Sequence, residues 1–247
     1  MDTRRGRFIV FEGTEGAGKS TQLKRLQQWM ADSGWIHHLQ QSLPPGVSPI
    51  LVTREPGGTD LGQRLRLLLL DSSLTEAQGL PSITELLLYA ADRAQHVFTT
   101  LKPALEKGTL ILCDRYTAST VAYQGYGRAL DLALIQQLNA IATDGLTPDL
   151  TLWLDLDVEQ GLHRAHQRQP EVLELTGEDR MESADLAFHQ RVQQGFAAQA
   201  KADPQHMVRI DAGCSEDQVA AEIQIVMENK LRKWFPRPLL RQSNTIL

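Results

Sequence analysis

Short apolar runs alternate with longer amphipathic segments along most of the chain. The apolar runs are rich in Ile, Val and Leu and are mostly continuous, a pattern that is typical of strands buried on both faces of a parallel sheet. The pattern therefore predicts five strands, which cover residues 8–11, 50–53, 110–113, 150–154 and 207–210.

The amphipathic segments between these runs have the length and periodicity of helices. The predicted helices cover residues 19–33, 62–70, 83–105, 130–143, 158–167, 184–201 and 215–234. Strands and helices alternate over the whole length, which indicates a doubly wound α/β fold with about five parallel strands and helices on both faces. Proline, glycine and charged residues mark three irregular segments, at residues 40–49, 169–178 and 230–247, the last of them basic.

Composition excludes several classes of protein. The 247 residues are 42% hydrophobic and 22% charged, which fits one α/β domain or two small ones. The net charge of −5 argues against general nucleic-acid binding, which favours basic chains. No apolar run reaches the roughly 18 residues of a membrane span, and the short run near the N-terminus leads into a glycine-rich turn instead of a cleavage site.

Cysteine usage points to a reducing compartment. Cys113 and Cys214 have no CxxC partner, so we expect two unpaired thiols and neither a zinc site nor a redox pair. We therefore expect a cytoplasmic protein with no nucleic-acid partner and no membrane partner.

A glycine-rich phosphate-binding loop is the strongest chemical signal. The residues GTEGAGKS at 13–20 match G-x-x-x-x-G-K-[ST] and lie between a strand and a helix. Glycines let the backbone turn several N–H groups toward phosphates, and the helix N-terminus adds partial positive charge. Lys19 can reach the β- and γ-phosphates of a nucleotide such as ATP, and the Ser20 hydroxyl can join a Mg²⁺ shell. The loop alone does not choose between a kinase, a switch GTPase and a motor.

Five sequence blocks occur in the order found in thymidylate kinases. They are FIVFEGTEGAGKST at 8–21, TREPGGT at 53–59, LLLYAADRAQHV at 86–97, DRYTASTVAYQGYGR at 114–128 and PDLTLWLDLD at 148–157. The chain resembles that family over roughly residues 8–225. The resemblance implies a P-loop NTPase-type three-layer fold, transfer of the γ-phosphoryl group of ATP to dTMP with Mg²⁺, and a homodimer. It divides the chain into a kinase domain at 1–229, with a lid at about 164–182, and a basic tail at 230–247. ATP binding is expected at Gly13, Thr14, Glu15, Gly16, Ala17, Gly18, Lys19, Ser20 and Thr21.

A second phosphate site must face the loop if one nucleotide is to phosphorylate another. Arg54 and Arg115 each follow a predicted strand, where binding loops of a parallel sheet lie, and two guanidinium groups can converge on one phosphate. Asp114 can hold Mg²⁺ through water or orient Arg115, and we rank it above Asp155. For Asp155 and Asp157 we expect structural roles such as helix capping.

Base and sugar selection are assigned to residues on two segments. Tyr89 and Arg93 lie four apart on a predicted helix and share one face, so a ring can stack on a pyrimidine while a guanidinium donates to it. The resemblance implies that Thr120 and Gln124 border the base, that Ser119 also binds dTMP, that Tyr123 excludes a ribose hydroxyl, and that Glu15 meets the sugar 3′-hydroxyl. Tyr89 departs from the family, which usually has phenylalanine there.

A lid should keep water from the transferring phosphoryl group. The segment 164–182 carries Arg164, Arg168 and Arg180, and Arg180 lies in DRME, similar to the end of the family lid. Because Gly16 stands where some members have a basic residue, the chain resembles the bacterial type, in which the lid supplies the catalytic arginine. The stretch QPEVLELTGE lengthens this lid and makes its alignment ambiguous.

Three other functions remain open from sequence. A kinase for a deoxynucleoside or another monophosphate would keep the loop and the Asp-Arg pair but needs a different base pocket. A GTPase needs a guanine-reading N-K-x-D segment, and the chain has NK only at 229–230. A catalytically idle relative is disfavoured because Lys19, Ser20, Arg54, Asp114 and Arg115 are all present.

Overall fold

A five-stranded sheet forms the centre of the computed structural model, which describes residues 5–71, 80–167 and 185–236. All strands are parallel and lie in the order β2-β3-β1-β4-β5. They are β1 Phe8–Glu12, β2 Ile50–Arg54, β3 Leu110–Asp114, β4 Leu150–Asp155 and β5 Met207–Asp211. The five predicted strands are confirmed, and each extends one residue further, to a charged residue at its carboxyl end.

Ten α-helices and two π-helical segments are present in the described residues. The helices are α1 Lys19–Asp32, α2 Trp35–Gln40, α3 Asp60–Leu70, α4 Ser82–His96, α5 Lys102–Glu106, α6 Thr117–Thr120, α7 Leu132–Thr143, α8 Val158–His166, α9 Leu186–Ala202 and α10 Glu216–Trp234. The π-helical segments are Val97–Leu101, between α4 and α5, and Val121–Gly127, which continues α6.

Apolar residues of the sheet pack into two separate hydrophobic layers, one on each face. In β1, Ile9 and Phe11 pack with buried residues of α1 and α10, whereas Phe8 and Val10 pack with the π-helical segment Val97–Leu101. Successive side chains of a strand point to opposite faces, so a continuous apolar run is what a sheet covered on both faces requires. The three-layer α/β prediction is thereby confirmed.

One predicted helix is interrupted. The expected helix over 83–105 continues through α4 and α5 but contains a π-helical turn, in which the Lys102 N–H donates to the Val97 carbonyl. Pro103 has no N–H to donate to the carbonyl of Thr99, so the regular α-helical hydrogen-bond pattern cannot continue through this turn. The Thr99 hydroxyl donates to the Gln95 carbonyl at 2.7 Å. The sequence prediction also missed α2, α6 and the π-helical segment Val121–Gly127, which is a correction to the predicted organisation.

Side-chain caps set the starts of several helices. Thr59 accepts from the Gly62 N–H, so α3 begins at Asp60 and not at Gly62, and Asp131 caps α7 in the same way. Asp157 accepts from the Gln160 N–H, which confirms the predicted capping role. Asp155 does not cap: it accepts hydrogen bonds from Arg209 at 2.6 Å and Gln193 at 3.1 Å.

The C-terminal helix reaches into the segment predicted as a tail. Helix α10 continues to Trp234, and Trp234 and Phe235 pack against the core cluster on the α1 side of the sheet. Residues 237–247 and 168–184 lie outside the described residues, and the second range holds Arg168, Arg180 and most of the lid predicted at about 164–182. No helix of the described part is both long and apolar enough to cross a membrane.

Candidate active site

A cleft of about 870 Å³ opens at the carboxyl edge of the sheet, around the phosphate-binding loop. It has two arms. The α4 arm lies between α3, α4 and the segment 114–124, and the α8 arm lies between α1, α8 and the loop from β5 to α10. Most predicted site residues line this cleft, namely Glu15, Gly16, Ala17, Gly18, Lys19, Ser20, Thr21, Arg54, Tyr89, Arg93, Asp114, Arg115, Ser119, Thr120, Tyr123, Gln124 and Arg164.

The phosphate-binding loop is shaped by glycine and closed by its own lysine. Gly16 has a φ of 70°, and a Cβ there would lie 2.0 Å from the carbonyl oxygen of Gly161 on α8. Lys19 Nζ donates to the carbonyls of Gly13 at 3.1 Å and Thr14 at 2.9 Å. Burial lowers the pKa of Lys19, and the neighbouring carboxylates oppose that change. The loop thus holds a buried ammonium group within a ring of backbone groups, which is a site for phosphates.

Ser20 and Asp114 form an oxygen-rich pair beside this loop. The Ser20 hydroxyl donates to Asp114 Oδ2 at 3.0 Å. Asp114 Oδ1 is buried and, within the described ranges, has no hydrogen-bond partner. A carboxylate oxygen without a partner next to a hydroxyl fits a hard divalent cation such as Mg²⁺, which prefers oxygen ligands.

Arg115 is the centre of a polar cluster at the junction of the arms. Its guanidinium donates to the Gly13 carbonyl at 3.0 Å and to Ser119 Oγ at 3.1 Å, and it forms an ion pair with Glu15. The Tyr123 ring lies 5.0 Å from the guanidinium, and the Tyr123 hydroxyl donates to Glu15 at 3.3 Å. Burial acts to lower the pKa of Arg115, but Glu15 and the other nearby acidic groups keep it above the ordinary value.

Arg54 differs from Arg115 in its surroundings. It is exposed at the end of β2, lines the cleft, and makes no hydrogen bond or ion pair through its side chain to another described residue. Arg66 on α3 lines the same wall and donates to the Pro56 carbonyl at 3.2 Å. Sequence reasoning missed Arg66, whose only signal was its place on the helix after the TREPGGT block.

Arg93 is fixed by protein partners. It is 2% exposed, and its guanidinium donates to Glu55 at 2.8 Å, to Asn139 at 2.7 Å and to the Tyr116 carbonyl at 3.1 Å. A guanidinium has five N–H groups, so two remain beyond these three bonds. Tyr89, one turn earlier on α4, also lines the cleft, as their shared helix face predicts.

Gln124 is oriented by a buried carboxylate. Its amide nitrogen donates to Glu85 Oε1 at 2.8 Å, and Arg128 lies 3.4 Å from the other Glu85 oxygen. This pairing turns the amide oxygen of Gln124 away from Glu85. The polar groups that line the α4 arm are therefore held in position by protein groups buried behind them.

Buried carboxylates are the functional group that sequence reasoning missed. Glu12, Glu55 and Glu85 are each 3% exposed or less and bind Ser119, Arg93 and Gln124 respectively. Glu12 and Glu55 lie within the blocks at 8–21 and 53–59, which could have pointed to them, whereas Glu85 lies just before the block at 86–97 and carries no such signal. Burial and the nearby Glu55 raise the pKa of Asp92 to about 6, and burial raises the pKa of Glu12 to about 7.

The α8 arm has a different wall. Gln22 donates to the Glu216 carbonyl at 3.0 Å, and Arg164 donates to the Ala212 carbonyl at 3.2 Å. Cys214, an unpaired and exposed thiol, lines this arm beside Ser215. Sequence reasoning did not place the β5–α10 loop in the site.

Comparison with known proteins gives a consistent match. A family model described as thymidylate kinase matches residues 11–223. The thymidylate kinase of Cyanothece sp. is 60% identical over 94% of this chain and 98% of its own length, and that of Acaryochloris marina is 53% identical over 94% and 99%. The crystal structure of thymidylate kinase from Ehrlichia chaffeensis superposes with a TM-score of 0.66 at 32% identity, covering 90% of this chain and 99% of that one.

Proposed function

The chain belongs to the thymidylate kinase family, and from that premise we propose that ATP binds in the α8 arm of the cleft and dTMP in the α4 arm. The reaction is ATP-dependent phosphorylation of dTMP to dTDP. One observation carries the placement: the phosphate-binding loop, Arg54 and Arg115 line one cleft, so two phosphate sites face each other there.

In phosphoryl transfer the protein mainly positions the reactants and neutralises charge, and does little covalent chemistry itself. An oxygen of the dTMP phosphate attacks the γ-phosphorus of ATP, and the bond from that phosphorus to the oxygen of ADP breaks. Lys19 and the loop N–H groups hold the donor phosphates. Arg54, which has no protein partner among the described residues, and Arg115 hold the acceptor phosphate in line and offset its charge.

The metal ligands proposed are Ser20 and Asp114, whose oxygen atoms fit Mg²⁺ as described above. When bound, the ion neutralises charge on the donor phosphates. The chain's own contribution is to place a hydroxyl at the start of α1 and a carboxylate at the end of β3 on the same side of the loop.

Base and sugar selection are proposed for the α4 arm. Tyr89 offers a ring face, and Arg93, Ser119, Thr120 and Gln124 offer polar groups whose positions the surrounding protein fixes. Tyr123 packs against the rings of Phe188 and Phe196, at 6.2 Å each, so its bulk cannot move aside for a ribose hydroxyl. Glu15, which pairs with Arg115 and Tyr123, is proposed to meet the sugar 3′-hydroxyl.

The lid and the domain limits stay proposals. Arg164 at the end of α8 faces the cleft, which supports a lid that begins there and carries Arg168 and Arg180 onward to the transferring phosphoryl group. We keep the kinase domain at 1–229 and the tail at 230–247. A cytoplasmic location is supported by the two unpaired thiols, which suit a reducing compartment.

A homodimer is proposed on the outer face of α3, α7 and the π-helical segment Val97–Leu101 that follows α4. Leu67 is 73% exposed, Phe98 is 69% exposed and Ile141 is 77% exposed, and α4 packs between α3 and α7. A broad exposed apolar face suits a two-fold contact with a second copy, since each copy offers the same surface. Leu67→Glu with Ile141→Glu should halve the mass seen by sedimentation; a monomeric wild-type protein would contradict the proposal.

The function is tested with purified protein, ATP, Mg²⁺ and one acceptor at a time, measuring ADP formation. The acceptors are dTMP, dUMP, UMP, dCMP, AMP and thymidine. We expect preference for dTMP, with dTDP as product. Turnover of another acceptor with dTMP idle would keep the kinase chemistry and overturn the assignments in the α4 arm. No turnover in a folded protein that binds ATP would indicate an idle relative.

A further inference from the structure

Glu12 is the last residue of β1, directly before the phosphate-binding loop. Its side chain is buried, and both carboxylate oxygens accept hydrogen bonds from the segment after β3. Oε1 accepts from the Tyr116 N–H at 2.9 Å and from the Ser119 N–H at 3.2 Å, and Oε2 accepts from the Ser119 hydroxyl at 2.6 Å. One carboxylate therefore binds three donors that lie 104 and 107 residues away in sequence.

Arg115, just before this bonded segment, has an unusual backbone. Its φ is 68°, in the left-handed region that non-glycine residues rarely adopt. Such a conformation persists where neighbouring groups hold it. The Arg115 N–H donates to the Phe11 carbonyl at 2.9 Å, and the next N–H, that of Tyr116, donates to Glu12. The end of β1 thus holds the turn on both sides of Arg115.

A single hydroxyl links the carboxylate to the guanidinium. Ser119 donates its proton to Glu12 and accepts from Arg115 at 3.1 Å. Because its proton points to Glu12, the Ser119 oxygen offers a lone pair to Arg115. Glu12 therefore acts on both the backbone and the side chain of Arg115 without lying in the cleft itself.

We propose that Glu12 is a positioning residue for phosphoryl transfer, which holds Arg115 in its left-handed turn and, through Ser119, aims the guanidinium at the acceptor phosphate. This inference rests on the role proposed above for Arg115. A carboxylate that served only stability would change the amount of folded protein and leave the turnover of each folded molecule unchanged.

The experiment is a double-mutant cycle between Glu12→Gln and Arg115→Ala. Glutamine keeps the size of the side chain but replaces one acceptor oxygen with an NH₂ group, which cannot accept from the donors of this segment. The kcat and the KM for dTMP and for ATP are measured for each single variant and for the double variant, with folding checked by circular dichroism. Asp149→Asn is the matched control, because Asp149 accepts from Arg7 and from the Phe8 N–H at the opposite end of β1.

We expect Glu12→Gln to lower kcat/KM for dTMP by about 10- to 100-fold and to leave the KM for ATP within about twofold. The double variant should equal Arg115→Ala within about threefold, because the effect of Glu12 passes through Arg115. Asp149→Asn should keep kcat/KM for dTMP within about twofold of the wild-type value.

Two outcomes overturn the inference: a loss below about threefold in folded Glu12→Gln, or losses that multiply in the double variant. An active Arg115→Ala would instead refute the role proposed for Arg115. If Glu12→Gln does not fold, Glu12→Asp replaces it. It should lower kcat/KM for dTMP by about 3- to 10-fold in the wild-type background and not in Arg115→Ala. A wild-type value would also overturn the inference.

Discussion

The two arms of the cleft are held in different ways. In the α4 arm, three polar wall groups have a buried carboxylate behind them: Glu55 behind Arg93, Glu85 behind Gln124 and, through Ser119, Glu12 behind Arg115. In the α8 arm, Gln22 and Arg164 bond to backbone carbonyls of one loop, and Cys214, Ser215 and Glu216 are exposed.

The two kinds of wall differ in how strictly they can select a bound nucleotide. Charged pairs in a buried wall hold a fixed pattern of donors and acceptors, so a base that does not match leaves groups unpaired, which costs affinity. The phosphate-binding loop is proposed to hold the phosphates, which all nucleoside triphosphates share. We therefore infer that the acceptor base is selected more strictly than the donor base.

The largest effect is expected where the two arms meet. Lys19→Ala removes the ammonium group that the loop surrounds, so kcat should fall about a thousandfold whichever acceptor is offered. Steady-state kinetics and a folding check by circular dichroism measure it. Lys24→Ala, an exposed lysine on the same helix, is the control and should behave as the wild type. Near-normal turnover by folded Lys19→Ala would refute the loop assignment.

Breaking the wall of the α4 arm should act on one arm only. Arg93→Ala leaves Glu55 without its guanidinium partner, which should cost about 3 kcal/mol of unfolding free energy. It should also lower kcat/KM for dTMP about a hundredfold and leave the KM for ATP nearly unchanged.

Urea unfolding and steady-state kinetics measure these two effects. Arg209→Ala is the matched control, since its ion pair with Asp155 is exposed on the arginine side and should contribute less than about 1 kcal/mol. Equal losses in the two variants would show that burial of the Arg93 pair adds nothing.

The same wall should make stability depend on pH. Burial and Glu55 raise the pKa of Asp92 to about 6 from its ordinary value of 3.8, so the folded state binds a proton more tightly than the unfolded state. That contribution is fully present below about pH 4 and is lost as the pH rises through about 6. Asp92→Asn keeps the acceptor for the Gly57 N–H, 3.0 Å away, and removes the titration.

The stability of Asp92→Asn relative to the wild type should therefore increase by about 2 kcal/mol between pH 4 and pH 7. Urea unfolding at several pH values measures this difference. A difference that does not change with pH would mean that Asp92 is not strained by its burial beside Glu55.

The smallest effect concerns the sugar. Tyr123→Ala should raise the use of UMP relative to dUMP about tenfold, because it removes the ring that we propose blocks a ribose hydroxyl. Tyr123→Phe keeps the ring and should keep the preference, and competition assays with both acceptors measure it. An unchanged preference in Tyr123→Ala would place the sugar filter elsewhere.

The features that depend only on neighbouring residues could be predicted from the sequence. The five strands, the phosphate-binding loop and the cap at Asp157 follow from apolar runs, glycines and a short polar side chain. Each strand was predicted one residue short because its final residue is charged, although its backbone still pairs with the neighbouring strand: Arg54 and Asp114 are partners in the ladder.

Long-range pairing could not be predicted in the same way. Glu12 and Ser119 are 107 residues apart and Arg93 and Asn139 are 46 apart, so no window of sequence contains both partners. The π-helical segment Val121–Gly127 depends on its packing against α9, which a periodicity argument does not include.

The contact between Gly16 and Gly161 also bears on how relatives of this chain can diverge. A side chain at either position would meet backbone of the other segment, at 2.0 Å and 2.6 Å. A basic residue cannot be gained at position 16 unless α8 first moves away. If the lid supplies the catalytic arginine, as proposed above, a single substitution could not move that cation to the loop, and we expect positions 16 and 161 to covary among homologues.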